Sequence, residues 1–154
     1  MTTVRVNGAE HDLETHPRAA LLWALRDEVG CSSVKYGCGA GQCGACRVLV
    51  DGTPESSCLI TIAEAVGRDV RTLEGYVADG TAGPVVDALL AIDAGQCGYC
   101  LPGIVTTLVG LQQRAAPGLT RDELLRALDE HLCRCGSHTR ILAAAWAALG
   151  VDDG

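Results

Sequence analysis

Polar and apolar residues alternate along Thr3-Val4-Arg5-Val6 and break at Asn7-Gly8, which predicts a tight hairpin with residues 9–13 as the returning strand. From 18 to 29 the period lengthens. Leu21, Leu22, Leu25 and Val29 fall on one helical face, with Thr15 as a cap before Pro17 and Gly30 as the stop. Arg47-Val48-Leu49-Val50 reads as a strand entering an Asp51-Gly52 turn, and 57–62 and 70–73 read as short extended segments. Glycine and small polar residues crowd 75–84, which marks a boundary between two domains, 1–75 and 76–154. Beyond it the alternation vanishes and helical patterns take over. Residues 85–94 form a short apolar helix, and 101–114 is apolar on most sides and therefore central, with Pro117-Gly118 ending it. Thr120 and Glu123 form a capping box, with Leu124, Leu125, Leu128 and Leu132 on the buried face. Residues 139–149 close the chain as an Ala-rich helix stopped by Gly150. The expected fold class is α+β, with a strand-rich first half and a four-helix second half.

Composition narrows the chemistry. The 154 residues are 48% hydrophobic with no Phe and two Trp, so the core is built from Leu, Val, Ile and Ala. A net charge of −7 argues against nucleic acid as a partner, since phosphate binding wants a basic face. No apolar stretch is long enough to span a bilayer, and Met1-Thr2-Thr3-Val4-Arg5-Val6 does not resemble a signal peptide. A cytoplasmic protein is expected, and in that reducing setting nine cysteines point to metal ligation over disulfides.

Eight of the nine cysteines fall into two sets. Cys38, Cys43 and Cys46 lie in a loop with Gly37, Gly39, Gly41 and Gly44, and Cys58 follows after eleven residues. Cys-x4-Cys-x2-Cys with a later fourth cysteine is the spacing of a plant-type ferredoxin [2Fe-2S] site, and it fits the paired knuckles of zinc ribbons poorly. The glycines let backbone N–H groups approach the sulfurs and offset the charge of four thiolates. The second set joins Cys97-Gly98-Tyr99-Cys100 to Cys133-Arg134-Cys135 across thirty-two residues. Spacing alone leaves zinc and [2Fe-2S] both open there.

Lys35-Tyr36-Gly37-Cys38-Gly39 through Cys46, then Gln96-Cys97-Gly98-Tyr99-Cys100-Leu101-Pro102-Gly103, then Leu132-Cys133-Arg134-Cys135-Gly136 resemble, in order, the iron–sulfur subunit of molybdenum hydroxylases. That is the family of xanthine dehydrogenase, aldehyde oxidoreductase and carbon monoxide dehydrogenase. Gly67-Arg68-Asp69-Val70-Arg71-Thr72-Leu73-Glu74-Gly75 and the compact length are most similar to small subunits such as those of isoquinoline 1-oxidoreductase and nicotinate dehydrogenase. The resemblance implies an N-terminal β-grasp ferredoxin domain followed by a helical domain. It implies one [2Fe-2S] cluster on Cys38, Cys43, Cys46 and Cys58, and another on Cys97, Cys100, Cys133 and Cys135. A separate large subunit would hold most of the molybdopterin, as its cytosine dinucleotide, with Gln96 and the Cys135 loop approaching it from this chain. The chain would be the non-catalytic electron-transfer subunit of a complex that hydroxylates an aldehyde or an N-heterocycle. Electrons would pass through the second cluster and then the first to a flavoprotein subunit or a cytochrome. Leu101 departs from the polar residue that relatives often carry beside the second set.

The remaining candidates are bland. Cys31 reads as a small buried hydrophobe, Arg134 as a potential-tuning charge or a solvated side chain, and His11, His16, His131 and His138 share no ligand spacing. Gly37-x-Gly39-x-Gly41 is no dinucleotide fingerprint, because cysteines interrupt it and no βαβ unit follows. A different class of function is a free-standing ferredoxin-like carrier whose helical half holds structural zinc.

Overall fold

Asn7 at φ 51° and Gly8 at φ 84° turn the chain from β1 (Thr2–Val6) into β2 (Ala9–Leu13), with Val6 opposite Ala9. The computed structural model describes residues 1–114 and 118–151. A second hairpin pairs β3 (Arg47–Val50) with β4 (Thr53–Ser56), and β5 (Asp69–Arg71) lies between the hairpins, parallel to β1 and antiparallel to β3. The resulting mixed sheet has the order β2-β1-β5-β3-β4. On one face sit α1 (Leu21–Asp27) and α2 (Ile62–Ala65), giving the small mixed sheet expected of a ferredoxin-like half.

The predicted helix over 18–29 is shorter at its start, and the cause is tertiary. Ala20 is extended and bridges Thr61, while the Ala19 carbonyl accepts from Ile62 N–H, so the helix cannot begin before Leu21. Thr15 is no cap: its N–H and that of Glu14 donate to the Glu28 carboxylate, and the Thr15 side chain, followed by the Glu14 N–H, holds Glu28 below the usual carboxylate range. The extended segment expected over 57–62 is instead a turn followed by α2, because Thr61 and Glu64 form a capping box there. Of 70–73, the strand keeps Val70 and Arg71, and Leu73 opens α3 (Leu73–Ala78).

Across residues 75–84 the chain completes α3 and enters the next helix. A Cβ at Gly75, inside α3, would overlap the Asn7 side chain, whose Oδ1 accepts from Thr72 N–H at 2.9 Å. After it come α4 (Gly83–Ala91), α5 (Leu101–Arg114), α6 (Arg121–Asp129) and α7 (His138–Leu149), so four helices make the second half as expected. The helix expected over 85–94 is displaced towards its N-terminus, and Asp93 at φ 47° has already left it. Pro117 lies outside the described residues. Leu132 was expected on the buried face, but α6 stops at Asp129 and leaves the Leu132 side chain 64% exposed. Among the described residues no helix is long and apolar enough to cross a membrane.

All four residues of β3 are buried, and alternate side chains enter different cores. Val48 and Val50 join Val4, Val6, Leu21, Leu25 and Ile62 under α1, whereas Leu49 joins Ile104, Leu108, Leu124 and Ile141 among the helices. On α5, Gly110 lets the helix approach: a Cβ there would stand 2.9 Å from Leu49 Cδ2. Leu49→Ala is therefore expected to lower unfolding free energy by roughly 2–5 kcal/mol. Leu90→Ala, at a side chain 69% exposed, should change it by about 0.5 kcal/mol or less. Denaturant melts of the two variants check the pair.

Candidate metal centres

Lys35 N–H donates to the Ala45 carbonyl at 3.0 Å and draws the first cysteine loop closed. Within it Gly39 and Gly41 take φ 64° and 70°, turning successive N–H groups inward. Ala40 and Gln42 both donate to Cys38 Sγ, at 3.3 and 3.2 Å, and Cys38 N–H points at Cys43 Sγ at 3.4 Å. The Ala40 and Gln42 donors bring the Cys38 thiol down to about 7. Cys58 is placed by the β3–β4 register, which sets Arg47 opposite Ser56. Ser57 then donates both its N–H (3.3 Å) and its hydroxyl (2.7 Å) to the Cys46 carbonyl. Burial and the neighbouring Cys46 sulfur push Cys58 up to about 11.

The second set sits at helix ends. Cys100 immediately precedes α5 and Cys133 lies one turn before α7, where Ser137 N–H donates to Cys133 Sγ at 3.4 Å. Burial, aided by Cys133, pushes Cys100 up to about 12. Burial also raises Cys133, but the Ser137 N–H and the Cys100 thiol outweigh it and leave Cys133 below its ordinary value. Cys97 is lowered by the Tyr99 N–H and by the Cys135 thiol. Gln96 Nε2 donates to the Cys135 carbonyl at 3.2 Å, so the two residues expected near a pterin are bonded to each other.

In both sets the sulfurs meet in pairs: Cys38 with Cys43, Cys46 with Cys58, Cys97 with Cys135, and Cys100 with Cys133. A [2Fe-2S] group takes four thiolates, two on each iron, and needs N–H donors around its sulfurs. The donor set fits. Among the described residues no three His, Cys, Asp or Glu side chains gather as they would around one ion. Cys31 is buried at 4% exposure, and its raised thiol stands 3.6 Å from Thr72 Oγ1, away from both sets. Arg134 is exposed.

What the sequence did not disclose is how the sets meet. Leu132 N–H donates to the Cys43 carbonyl at 3.1 Å, and Tyr99 Oη donates to the Tyr36 carbonyl. Arg47, nearly buried, pairs with Glu130 at 2.6 Å. His131 lies against Gly44, with Nε2 2.9 Å from Thr107 Oγ1. Burial, reinforced by the charges of Arg47 and His138, drives the imidazole down to about 3, so it is neutral. The nearest sequence signal was position: His131 stands two residues before Cys133, yet a search for ligand spacing passes over it.

Residues 4–73 match the family described as "2Fe-2S iron-sulfur cluster binding domain", and residues 72–146 match the "[2Fe-2S] binding domain" family. The chain is 37% identical to the nicotinate dehydrogenase small FeS subunit of Eubacterium barkeri, over 92% of this chain and 89% of that one. It is 42% identical to the xanthine dehydrogenase iron-sulfur-binding subunit of Escherichia coli O157:H7, over 89% and 86%. Among solved structures, quinoline 2-oxidoreductase from Pseudomonas putida 86 superposes with a TM-score of 0.77 at 32% identity, over 96% of this chain and 94% of that one. A Cβ at Gly37 would stand 2.6 Å from Cys43 Sγ. Gly37→Ala is accordingly expected to cost the first set its iron, about two atoms per chain, with the second set retaining its share. Iron analysis beside low-temperature spectra of the reduced protein reads the change.

Proposed function

The chain belongs to the iron–sulfur small subunits of the molybdenum hydroxylases, and on that premise we propose that it carries electrons away from a molybdopterin site on a large partner subunit. Its relatives are the iron–sulfur subunits of a nicotinate dehydrogenase and a xanthine dehydrogenase. The partner would hold the pterin as its cytosine dinucleotide and act on an N-heterocycle or an aldehyde. Cys97, Cys100, Cys133 and Cys135 bind the centre nearer the pterin, and Cys38, Cys43, Cys46 and Cys58 bind the centre nearer the acceptor. When bound, each cluster supplies a one-electron couple with no bond to the protein made or broken.

This chain's own part is to hold eight thiolates, orient them with N–H donors and fix one set against the other. The observation that carries the reading is the hydrogen bond from Leu132 N–H to the Cys43 carbonyl, which joins the segments of the two sets directly. Gln96 and Cys135 contact the pterin. The bond between Gln96 Nε2 and the Cys135 carbonyl supports that role, since it brings the two residues to one place on the surface. The boundary near residue 75 is part of the same proposal. Two separate hydrophobic clusters support it, with Leu49 reaching across. A flavoprotein subunit or a cytochrome takes the electrons at the first set.

Two results test this. A molybdenum-containing subunit should copurify with the chain; a chain that purifies alone, with zinc in the second set, would replace the proposal with a free carrier. Cys135→Ser in the complex should slow turnover and remove the second centre's signal while the first centre's signal persists. Unchanged turnover in that variant would contradict the assigned route.

A further inference from the structure

A backbone hydrogen bond connects the segments of the two cysteine sets. Cys43 belongs to the first set, its carbonyl accepts from Leu132 N–H at 3.1 Å, and Leu132 is bonded to Cys133 of the second set. In a path of this kind, covalent but for one hydrogen bond, coupling weakens as that hydrogen bond lengthens. The Leu132 side chain cannot hold it, being 64% exposed. The helix α6 ends at Asp129 with Glu130 as its cap, and it reaches this segment through His131, whose N–H donates to the Leu128 carbonyl at 3.0 Å.

The neighbouring residue is different. His131 is 2% exposed, its ring is seated on Gly44, directly after Cys43, and its Nε2 is tied to Thr107 Oγ1 of α5 at 2.9 Å. At Gly44 no other residue fits, because a Cβ would overlap the imidazole and φ is 70°. Gly103 of α5 closes the far side against the Gly44 carbonyl. A rigid ring is thus wedged between α5 and the first ligand loop, one residue from the bridging N–H.

We propose that His131 is a positioning residue for electron transfer: its imidazole, braced by Thr107 and Gly44, holds Leu132 N–H on the Cys43 carbonyl. With both clusters bound, the bridge would pass one electron per event between them, with no proton moved and no bond broken. The inference rests on both centres being [2Fe-2S] clusters and adds the residue that sets their coupling.

The test uses the assembled complex and three variants. His131→Leu fills the space but loses the Thr107 bond, Thr107→Val removes the same bond from the other side, and His131→Gln can restore it. Amide exchange at Leu132 should speed about tenfold in His131→Leu, a local opening easier by about 1.4 kcal/mol. Electron transfer between the centres after flash reduction should slow several-fold in the same variant. Thr107→Val should shift both in the same direction and His131→Gln should recover both, with iron content and each centre's own signal unchanged throughout. Unchanged exchange and transfer rates in both His131→Leu and Thr107→Val would overturn the proposal. So would slowing that appears only together with loss of one centre's signal. A parent complex without two iron-based signals would instead show the underlying two-cluster reading to be wrong, before any variant is compared.

Discussion

Gly44 is the point on which both halves of the molecule converge. His131 lies on one side of it, Gly103 of α5 on another, and Cys43 precedes it. No side chain is sterically possible there, so the backbone of the second half can come within hydrogen-bonding reach of the first cysteine loop. The bonds at the seam, from Leu132 to Cys43 and from Tyr99 to Tyr36, depend on that approach. The Arg47–Glu130 pair closes the same seam with a guanidinium that is nearly buried and a carboxylate that is mostly exposed. That mixture of burial makes it a locator more than a source of stability.

The same economy appears in β3. One short strand supplies the wall of two cores because its side chains alternate, Val48 and Val50 to one side and Leu49 to the other. Cys46 precedes that strand, so the last cysteine of the first loop is anchored to the most buried segment of the sheet. Each cysteine set also mixes a thiol made easy to ionise with one made hard. Cys38 is drawn down by N–H donors while Cys58 is pushed up by burial, and Cys133 and Cys100 repeat the contrast. Iron held by all four would have to displace the proton from the thiol that is harder to ionise, which would couple assembly of each centre to folding around it.

The cysteine spacings, the Asn7-Gly8 turn, the Thr120 capping box and the central helix over 101–114 were legible in the sequence because each is a local signal. The misread stretches were those whose local pattern lost to a distant partner. Residues 18–20 have helical periodicity, but Ala20 is taken by a bridge to Thr61. Gly75 reads as one glycine of a Gly-rich stretch, yet it lies in α3 with Asn7, brought up by the first hairpin, packed against it. His131 was visible and uninterpretable, since its role depends on a glycine eighty-seven positions earlier in the sequence. The seam between the two cysteine sets could not be read from composition, since its partners are far apart in the sequence.

Anomalous diffraction from crystals of the intact complex tests most directly whether the two four-cysteine sets, fixed against each other across Gly44, each hold a two-iron centre. The data would be collected on both sides of the iron and zinc absorption edges. Two pairs of iron peaks are predicted, one enclosed by Cys38, Cys43, Cys46 and Cys58 and the other by Cys97, Cys100, Cys133 and Cys135. A single peak at the zinc edge inside the second set would contradict it.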